Sequence, residues 1–553
     1  MDKSKRLGVA FLWHMHQPFY KDPLKDKYLL PWVRLRGVKD YYPMAALVED
    51  FENVKVTFNL VPSLVEQIND YVQNDATDTF LDISVKKASS LTFADKVDLL
   101  NNFFKVNFKN FIEPNARYSQ LLIKKGVKPL SANALKNVIK SFSDSDFLDL
   151  QVLFNISWFH SISLDDDVNL KDLVEKQKSY TEQDKEYVLL KQKEVLSQII
   201  PLYRRLKEKG RIEITTTPFY HPILPLLCDT SVAKVSSPEM ILPKRFAHPE
   251  DAEWQIEEAI KYHTEQFGSA PRGMWPSEGS VSDEALDIMI SKGIDWVATD
   301  EDILFNSMSS YDKKYKGISL FDRRIIYRPY NFKRESRHIS MIFRDKNLSD
   351  MISFSYNSWN QNDAAWDLMG HMNRISENLR RDTDRGLVTI VMDGENAWEY
   401  YANNGREFFE TIYANIDRQG ALYSTTISDF LDIEPPKRSI SNVFPGSWIN
   451  HNFEIWIGEE QDNLSWDYLG KVRKDLMKFT KELHKEGDLD GSRIRQAWRE
   501  LHIAEGSDWN WWYSGEVRRG ADNPFDKLYL THLKNIYKLL NKPIPGFLKI
   551  SIA

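Results

Sequence analysis

The sequence predicts a parallel α/β fold, and two observations carry that prediction. Leu7 to Trp13 is a continuous apolar run of strand length, the pattern of a strand buried on both faces of a parallel sheet. Downstream, strand-like and helix-like stretches alternate, which argues for βα units in an open sheet or a closed barrel.

Val188, Val195, Ile199, Leu202 and Leu206 mark one helix face, with Pro201 expected to kink it and Gly210 suited to its end; Ile212 to Thr216 then reads as a strand. Ile256, Ile260, His263 and Phe267 fit a second helix closed by Gly268. A short strand ends at Trp275-Pro276-Ser277-Glu278, and Ser280 or Ser282 is placed to cap a helix containing Leu286, Met289 and Ile290. Gly293 stops that helix, and Ile294 to Thr299 starts another strand. Leu387 to Met392 is a further β-branched run, ending at Asp393-Gly394-Glu395.

Two regions interrupt the alternation. Residues 64 to 180 read as a mainly helical insertion, and residues 317 to 356 hold short β-like runs at RRIIYRPY, HISMIF and MISFSY. Pro435-Pro436 reads as a linker, so the expected domains are 1–432 and a helical 433–553. The length of 553 residues is ample for this.

Composition narrows the function. Lys and Arg number 73 against 80 Asp and Glu, a net charge of -7, so no basic field exists to attract nucleic acid. No apolar run is long enough to span a bilayer, and Leu7 to Trp13 stops at His14 without a cleavage site, so a cytoplasmic protein with no membrane contact is expected. Cys228 is the one cysteine, which excludes an intramolecular disulfide and a four-thiolate zinc site. Aromatic residues make up 13% of the chain, and their faces suit the C–H faces of sugars.

The chemistry is expected at strand ends, where parallel α/β folds build their sites. His14 and His16, Glu213, Glu278, and Asp393 with Glu395 all fall at or near such ends. Asp393 closes a buried strand, where desolvation would raise its pKa and let it act as an acid. Two carboxylates facing one bond, one as nucleophile and one as general acid then base, are what glycoside hydrolysis requires. In sequence, an exposed loop glutamate or a turn aspartate looks the same. His14-Met15-His16 also fits a metal pair at the end of a first barrel strand, and that reading would make a metal-dependent hydrolase or deacetylase. Neutral histidines donating to sugar hydroxyls account for the same residues without a metal.

These residues resemble the motifs of glycoside hydrolase family 57, in particular its α-amylase and amylopullulanase-like branch. His14-Met15-His16-Gln17-Pro18 is similar to the family's first motif, with Leu30-Pro31-Trp32-Val33-Arg34 and Phe58-Asn59-Leu60-Val61-Pro62 behind it. Glu213-Ile214-Thr215 with His221-Pro222-Ile223 resembles the second, Gly273 to Glu278 the third and Asp393-Gly394-Glu395-Asn396 the fourth. Gly446-Ser447-Trp448-Ile449-Asn450 and the Trp-rich stretch 505 to 513 look like its C-terminal elements.

The resemblance implies an incomplete (β/α)7 barrel with a helical domain, and a retaining reaction on α-linked glucans that needs no metal or other cofactor. It makes Glu278 the nucleophile and Asp393 the acid/base, Asp393 rather than Glu395 by motif position alone. It places His14, His16, Gln17, Trp32, Glu213, His221, Trp275, Glu395, Trp398, Trp448, Asp508 and Trp509 around the substrate. An α-amylase is the expected activity; a 4-α-glucanotransferase or amylopullulanase would use the same pair, and a non-catalytic glucan-binding protein is a more distant alternative. Two positions depart from the family's pattern: Arg36 stands where a His is common, and Ser514-Gly515-Glu516-Val517 follows the Trp-Trp-Tyr run.

Overall fold

The computed structural model describes residues 6–126, 132–311, 322–334, 336–380, 382, 384–418, 420–486, 491–513 and 523–553. Strand β1 (Leu7–Met15) is buried along all nine residues, as its two-faced apolar run demands. A small antiparallel hairpin, β2 (Lys21–Asp22) and β3 (Lys27–Tyr28), follows it. Three more parallel strands flank β1 in its sheet: β4 (Val56–Leu60), β5 (Ile212–Thr215) and β10 (Leu387–Asp393), in the order β10-β1-β4-β5. Short β11 (Leu422–Ser424) pairs the start of β1.

The second sheet runs β12-β8-β9-β7-β6, with β6 (Gly273–Met274), β7 (Trp296–Asp300), β8 (Tyr330–Arg334), β9 (Arg337–Arg344) and β12 (Arg438–Ile440). Only the β8–β9 pair in it is antiparallel among the described residues. The backbones of the two sheets meet at two edges. A parallel bridge joins Thr216, just past β5, to Met274, and the Asp345 N–H after β9 donates to the Thr389 carbonyl of β10 at 2.8 Å. Ala10, Leu12, Trp296, Ala298, Ile342 and Val391 from β1, β7, β9 and β10 share one buried apolar cluster, floored by Ile427 and Phe430.

Helices cover the outside: α1 (Pro62–Gln73), α2 (Glu182–Glu208), α3 (Pro249–Phe267), α4 (Asp283–Ser291), α5 (Gln361–Leu379), α6 (Arg406–Asp417) and α7 (Ile427–Ile433). Their ends are chemically specified. A Thr181–Asp184 capping box opens α2, Pro249 opens α3 and the Ser282 hydroxyl caps α4. Helix α2 runs through Pro201, and Gly210 just beyond it takes a positive φ of 64°. No strand lies between β4 and β5 among the described residues; that stretch is helical.

The β-like reading of 317–356 is right only for β8 and β9. Arg323–Tyr327 winds into a 3₁₀ helix, and Met351–Ser358 forms helical turns rather than a strand. Ile352 and Tyr356, four residues apart, point into the core, and the Ser349 and Ser353 hydroxyls bond carbonyls one turn back.

Three long C-terminal helices follow, α8 (Glu460–Glu486), α9 (Gly491–Ala504) and α10 (Pro524–Leu539). Asn535 of α10 donates to Asp22 of the hairpin at 3.1 Å, and Arg473 of α8 pairs with Asp251 of α3 at 2.5 Å. Ser507 and Asp508, just past α9, are held against the strand ends, the Ser507 N–H donating to the His221 carbonyl at 3.0 Å. No described helix is long and apolar enough to cross a membrane.

Candidate active site

The C-terminal end of β1 delivers His14 beside Asn59 of β4 and Asp393 of β10, the register pairing His14 with both. His14 Nδ1 lies 2.7 Å from Asn59 Oδ1, an atom that can only accept, so that nitrogen carries the proton. His14 Nε2 therefore accepts from His221 Nε2 at 3.2 Å, which leaves His221 Nδ1 to accept from the Ser507 hydroxyl at 2.9 Å. A directional chain results, Ser507 to His221 to His14 to Asn59. Burial and the neighbouring His16 push His14 down to about 3, and burial holds His221 well below the ordinary histidine range, so both rings are neutral at physiological pH. His16 stacks on His221 at 3.9 Å and meets Asp508 through Nε2 at 2.8 Å.

His221 and Glu278 both hold left-handed backbone, with φ of 59° and 57°. For residues bearing a side chain this conformation costs about 1 kcal/mol or more, and surrounding contacts must impose it. At Glu278 those contacts come from Trp448, carried across by the antiparallel Val281–Gly446 bridge. The Trp448 N–H donates to the Glu278 carbonyl at 2.9 Å and its indole Nε1 donates to Glu278 Oε2 at 2.7 Å. Burial, then repulsion from Asp393, pushes the Glu278 carboxyl up to about 8, an effect that the indole bond opposes.

Asp393 ends β10 and accepts from Asn396 Nδ2 at 2.6 Å. Burial raises its pKa, while Asn396, His16 and Arg344 work against that rise. Gly394 allows the close turn here: a Cβ would stand 2.0 Å from Met15 Sδ, and its N–H donates to the His14 carbonyl at 2.7 Å. Two half-buried carboxylates thus flank a set of neutral imidazoles, close enough that the charge on Asp393 is felt at Glu278.

Several expected site residues lie elsewhere. Glu213 sits on β5 level with Leu12, two residues below His14; its oxygens accept from Trp296 Nε1 and from the Ser428 N–H and hydroxyl, so it ties α7 to the strands rather than meeting substrate. Trp398 is fully buried, packs on Trp13 and Phe409 and donates to the Gly394 carbonyl at 2.9 Å. Trp509 is likewise core, donating to the Ile503 carbonyl and packing on His532. Trp32 packs against Phe80 and Trp158 in the helical region. Trp398 and Trp509 offer no sugar-stacking face, since large indoles with a satisfied N–H are core residues first, whereas Trp32 is half-buried.

Trp275 is closer to expectation but is buried edge-on beneath Trp448 at 5.2 Å, so Trp448 is the half-buried indole of the pair. Glu395 is buried, accepts from Gln17 at 3.4 Å, and has an unpartnered Oε2; burial and then Asp393 hold it well above the usual carboxylate range. Arg36 donates to the Glu395 carbonyl at 2.9 Å. Ser514 to Val517 lie outside the described residues.

Four site residues escaped the sequence reading: Asn59, Asp300, Arg344 and Ser507. Arg344 ends β9, pairs with Asp300 at the end of β7 at 2.6 Å, and lies 4.9 Å over the Trp448 ring. The strand-end rule that found His14 and Asp393 points equally to Asn59, Asp300 and Arg344. Ser507 carries no such signal, since it lies in a loop far away in sequence.

Among the described residues, His16, His221 and Asp508 have ligand atoms within 4.8 Å of one another. The two rings lie only 16° from parallel, so their in-plane lone pairs run side by side instead of converging on one ion. The arrangement suits hydrogen bonding to hydroxyl groups better than chelation.

A model of glycosyl hydrolase family 57 matches residues 10–442, spanning β1 to β12 and both carboxylates. The chain belongs to that family. It is thereby one of the enzymes that act on glycosidic bonds. Alpha-amylase 1 of Dictyoglomus thermophilum is 28% identical over 101 residues, a stretch that covers 18% of this chain and 12% of that enzyme.

Solved structures share the fold at low identity. A family 57 branching enzyme from Thermococcus kodakaraensis superposes with a TM-score of 0.62 at 16% identity, covering 96% of this chain and 90% of that one. The alpha-amylase AmyC from Thermotoga maritima gives 0.58 at 12% identity, over 97% and 93% of the two chains. The 4-alpha-glucanotransferase from Thermococcus litoralis gives 0.52 at 14%, over 96% and 60%.

Proposed function

We propose that the enzyme cleaves α-1,4-linked glucans by a retaining, two-step reaction of the α-amylase type. The observation that carries this reading is the pair of half-buried carboxylates, Glu278 and Asp393, at converging chain ends beside neutral histidines. Glu278, its carboxylate held by the Trp448 indole, attacks C1 of the glucosyl unit as the C1–O bond breaks. Asp393 gives its proton to the departing oxygen, and a β-linked glycosyl-enzyme forms on Glu278. Asp393 then takes a proton from water as that water attacks C1, Glu278 leaves, and the α-anomer is released. His16, held by Asp508 and stacked on His221, orients the sugar at the scissile side, and the His14–His221 chain fixes its place.

The parallel strand order, the Thr216–Met274 bridge and the shared cluster of β1, β7, β9 and β10 support a further reading. The two sheets are arcs of one incomplete (β/α)7 barrel, in the order β1-β4-β5-β6-β7-β9-β10. The C-terminal helices from residue 433 then form a domain that supplies Trp448, Ser507 and Asp508 to its mouth.

The test is a proton NMR time course with maltoheptaose. Initial release of the α-anomer with only shorter products is expected. Products longer than seven sugars would replace hydrolysis by glucan transfer, and initial β-anomer would overturn Glu278 as nucleophile.

A further inference from the structure

Outside the carboxylate site, a cavity of about 530 Å³ opens where α1, α3, α9 and the β2–β3 hairpin meet. That volume lies within the range of small-molecule sites, about 300–1,000 Å³, and junctions between packed units are where such sites recur. Of the five charged side chains that line it, Lys21 pairs with Asp70 at 2.7 Å, Arg499 pairs with Glu66, and the two oxygens of Glu500 are taken by His532 and Asn535 behind the wall. An anion would face Glu66 and Asp70, and a cation would face Lys21 and Arg499. A neutral ligand fits this balance.

The remaining lining is aromatic and amide in character. Tyr262 is the half-buried ring of the wall, with Tyr28 and Phe19 buried behind it and the Arg499 guanidinium 5.6 Å over Phe19. Asn69 donates to the Tyr262 hydroxyl at 3.2 Å and to Gln266 at 3.0 Å, which fixes a row of donors and acceptors along the wall. Glu66 Oε2 is buried without a hydrogen-bond partner. A buried acceptor left open costs stability until a donor reaches it. Side-chain amides, paired charges, a tyrosine ring and a carboxylate with an unfilled acceptor are together the recognition chemistry of a polyhydroxyl compound.

We propose that this cavity is a second carbohydrate site, which binds a short, neutral α-linked glucose oligosaccharide without cleaving it. The choice of α-linked glucose rests on the function proposed above; the neutral polyol chemistry does not. The site stands directly behind the histidine chain. Arg499 donates to the Tyr220 hydroxyl at 2.9 Å, Tyr220 precedes His221, and α9 leads on to Ser507 and Asp508.

The test is isothermal titration of full-length Glu278→Gln protein with maltotriose. Tyr262→Ala and Gln496→Ala are added separately in that background, with folding checked by circular dichroism and Tm. We expect a binding component that either second substitution weakens at least fivefold. Binding that neither substitution alters, or no binding beyond a component insensitive to both, overturns the flank site. The maltoheptaose time course separates the two proposals. An active wild-type enzyme with insensitive binding sinks the flank site alone. A wild-type protein inert on α-glucans that still binds maltotriose through Tyr262 sinks the proposed activity and leaves the site standing.

Discussion

At the scale of single residues, the two acids of the Asp393-Gly394-Glu395 turn are separated by accessibility. Asp393 is half-buried and bonded to Asn396, whereas Glu395 is buried against Gln17 and Arg36. Glu278→Gln should lower kcat by more than about 10⁴-fold, because no other side chain can take the nucleophile's place. Asp393→Asn should cost about 10²–10⁴-fold on maltooligosaccharides and far less on aryl α-maltosides, whose leaving groups need no proton. The reverse ranking of Asp393→Asn and Glu395→Gln in steady-state assays would move the acid/base role to Glu395.

The pair also sets the pH dependence. Activity needs Glu278 ionised while Asp393 keeps its proton, so two groups that repel must share one proton. The pH profile of kcat/KM should be a bell whose alkaline limb is displaced upward from the ordinary carboxylate range, because burial raises Asp393 and an ionised Glu278 opposes loss of its proton. On an aryl α-maltoside, Asp393→Asn should lack that limb and keep its acid limb, since Asp393 is still protonated, and exerts no repulsion, where Glu278 first ionises. An alkaline limb that survives the substitution would show that another group is titrating.

At the scale of elements, the site is built where strands stop and the backbone is forced to turn. His14, Asn59, Thr299-Asp300, Arg344 and Asp393 all stand at strand ends, and those positions are legible because a parallel strand buried on both faces shows as an unbroken apolar run. Glu213 shows the limit of that rule. In a four-residue strand, one step along the chain moves a side chain from the mouth to the floor, and its oxygens were taken by Trp296 and α7. The indoles were misread for a related reason: a stacking face and a core face have the same composition.

Ser507 belongs to this scale because its value lies in closing a chain across elements. Ser507→Ala removes the donor to His221 Nδ1 and frees that ring's tautomer. The expected loss is about five- to tenfold in kcat/KM, what one hydrogen bond contributes, with Tm nearly unchanged. Gly394→Ala should do far more harm, since its Cβ would meet Met15 Sδ and push Asp393 out of line. Stopped-flow and thermal melts of the two variants distinguish these outcomes.

At the scale of the whole molecule, stability should be greatest in mildly acidic solution. Buried histidines sit low, with His14, His160 and His263 near 3 and His502 near 4, so below 6.5 the unfolded chain binds protons that the folded chain refuses. Stability is lost as pH falls through that window. Buried acids sit high, with Glu278 and Asp462 near 8 and Asp40 and Glu505 near 7, so above about 4.5 the folded chain holds protons that the unfolded chain has released. Stability is lost there as pH rises toward 8. The two trends oppose each other between about 4.5 and 6.5, which predicts a plateau in Tm there and a fall on either side. Glu278→Gln should raise Tm more at pH 9 than at pH 5, and calorimetry across that range checks both statements.

Apolar runs, caps and turn residues are local, so the chain specified most of its strands, its helix ends and the strand-end positions of the acids proposed for the chemistry without reference to any distant part. Assembly settled everything that depends on which groups meet. Trp448 and Ser507 acquire their roles only when segments 170 and 286 residues away in the chain are brought against Glu278 and His221. Glu213, Trp398 and Trp509 lose theirs for the same reason. A side chain's partners in a packed interior are fixed by close contact across the fold, and neither residue type nor spacing along the chain encodes that contact.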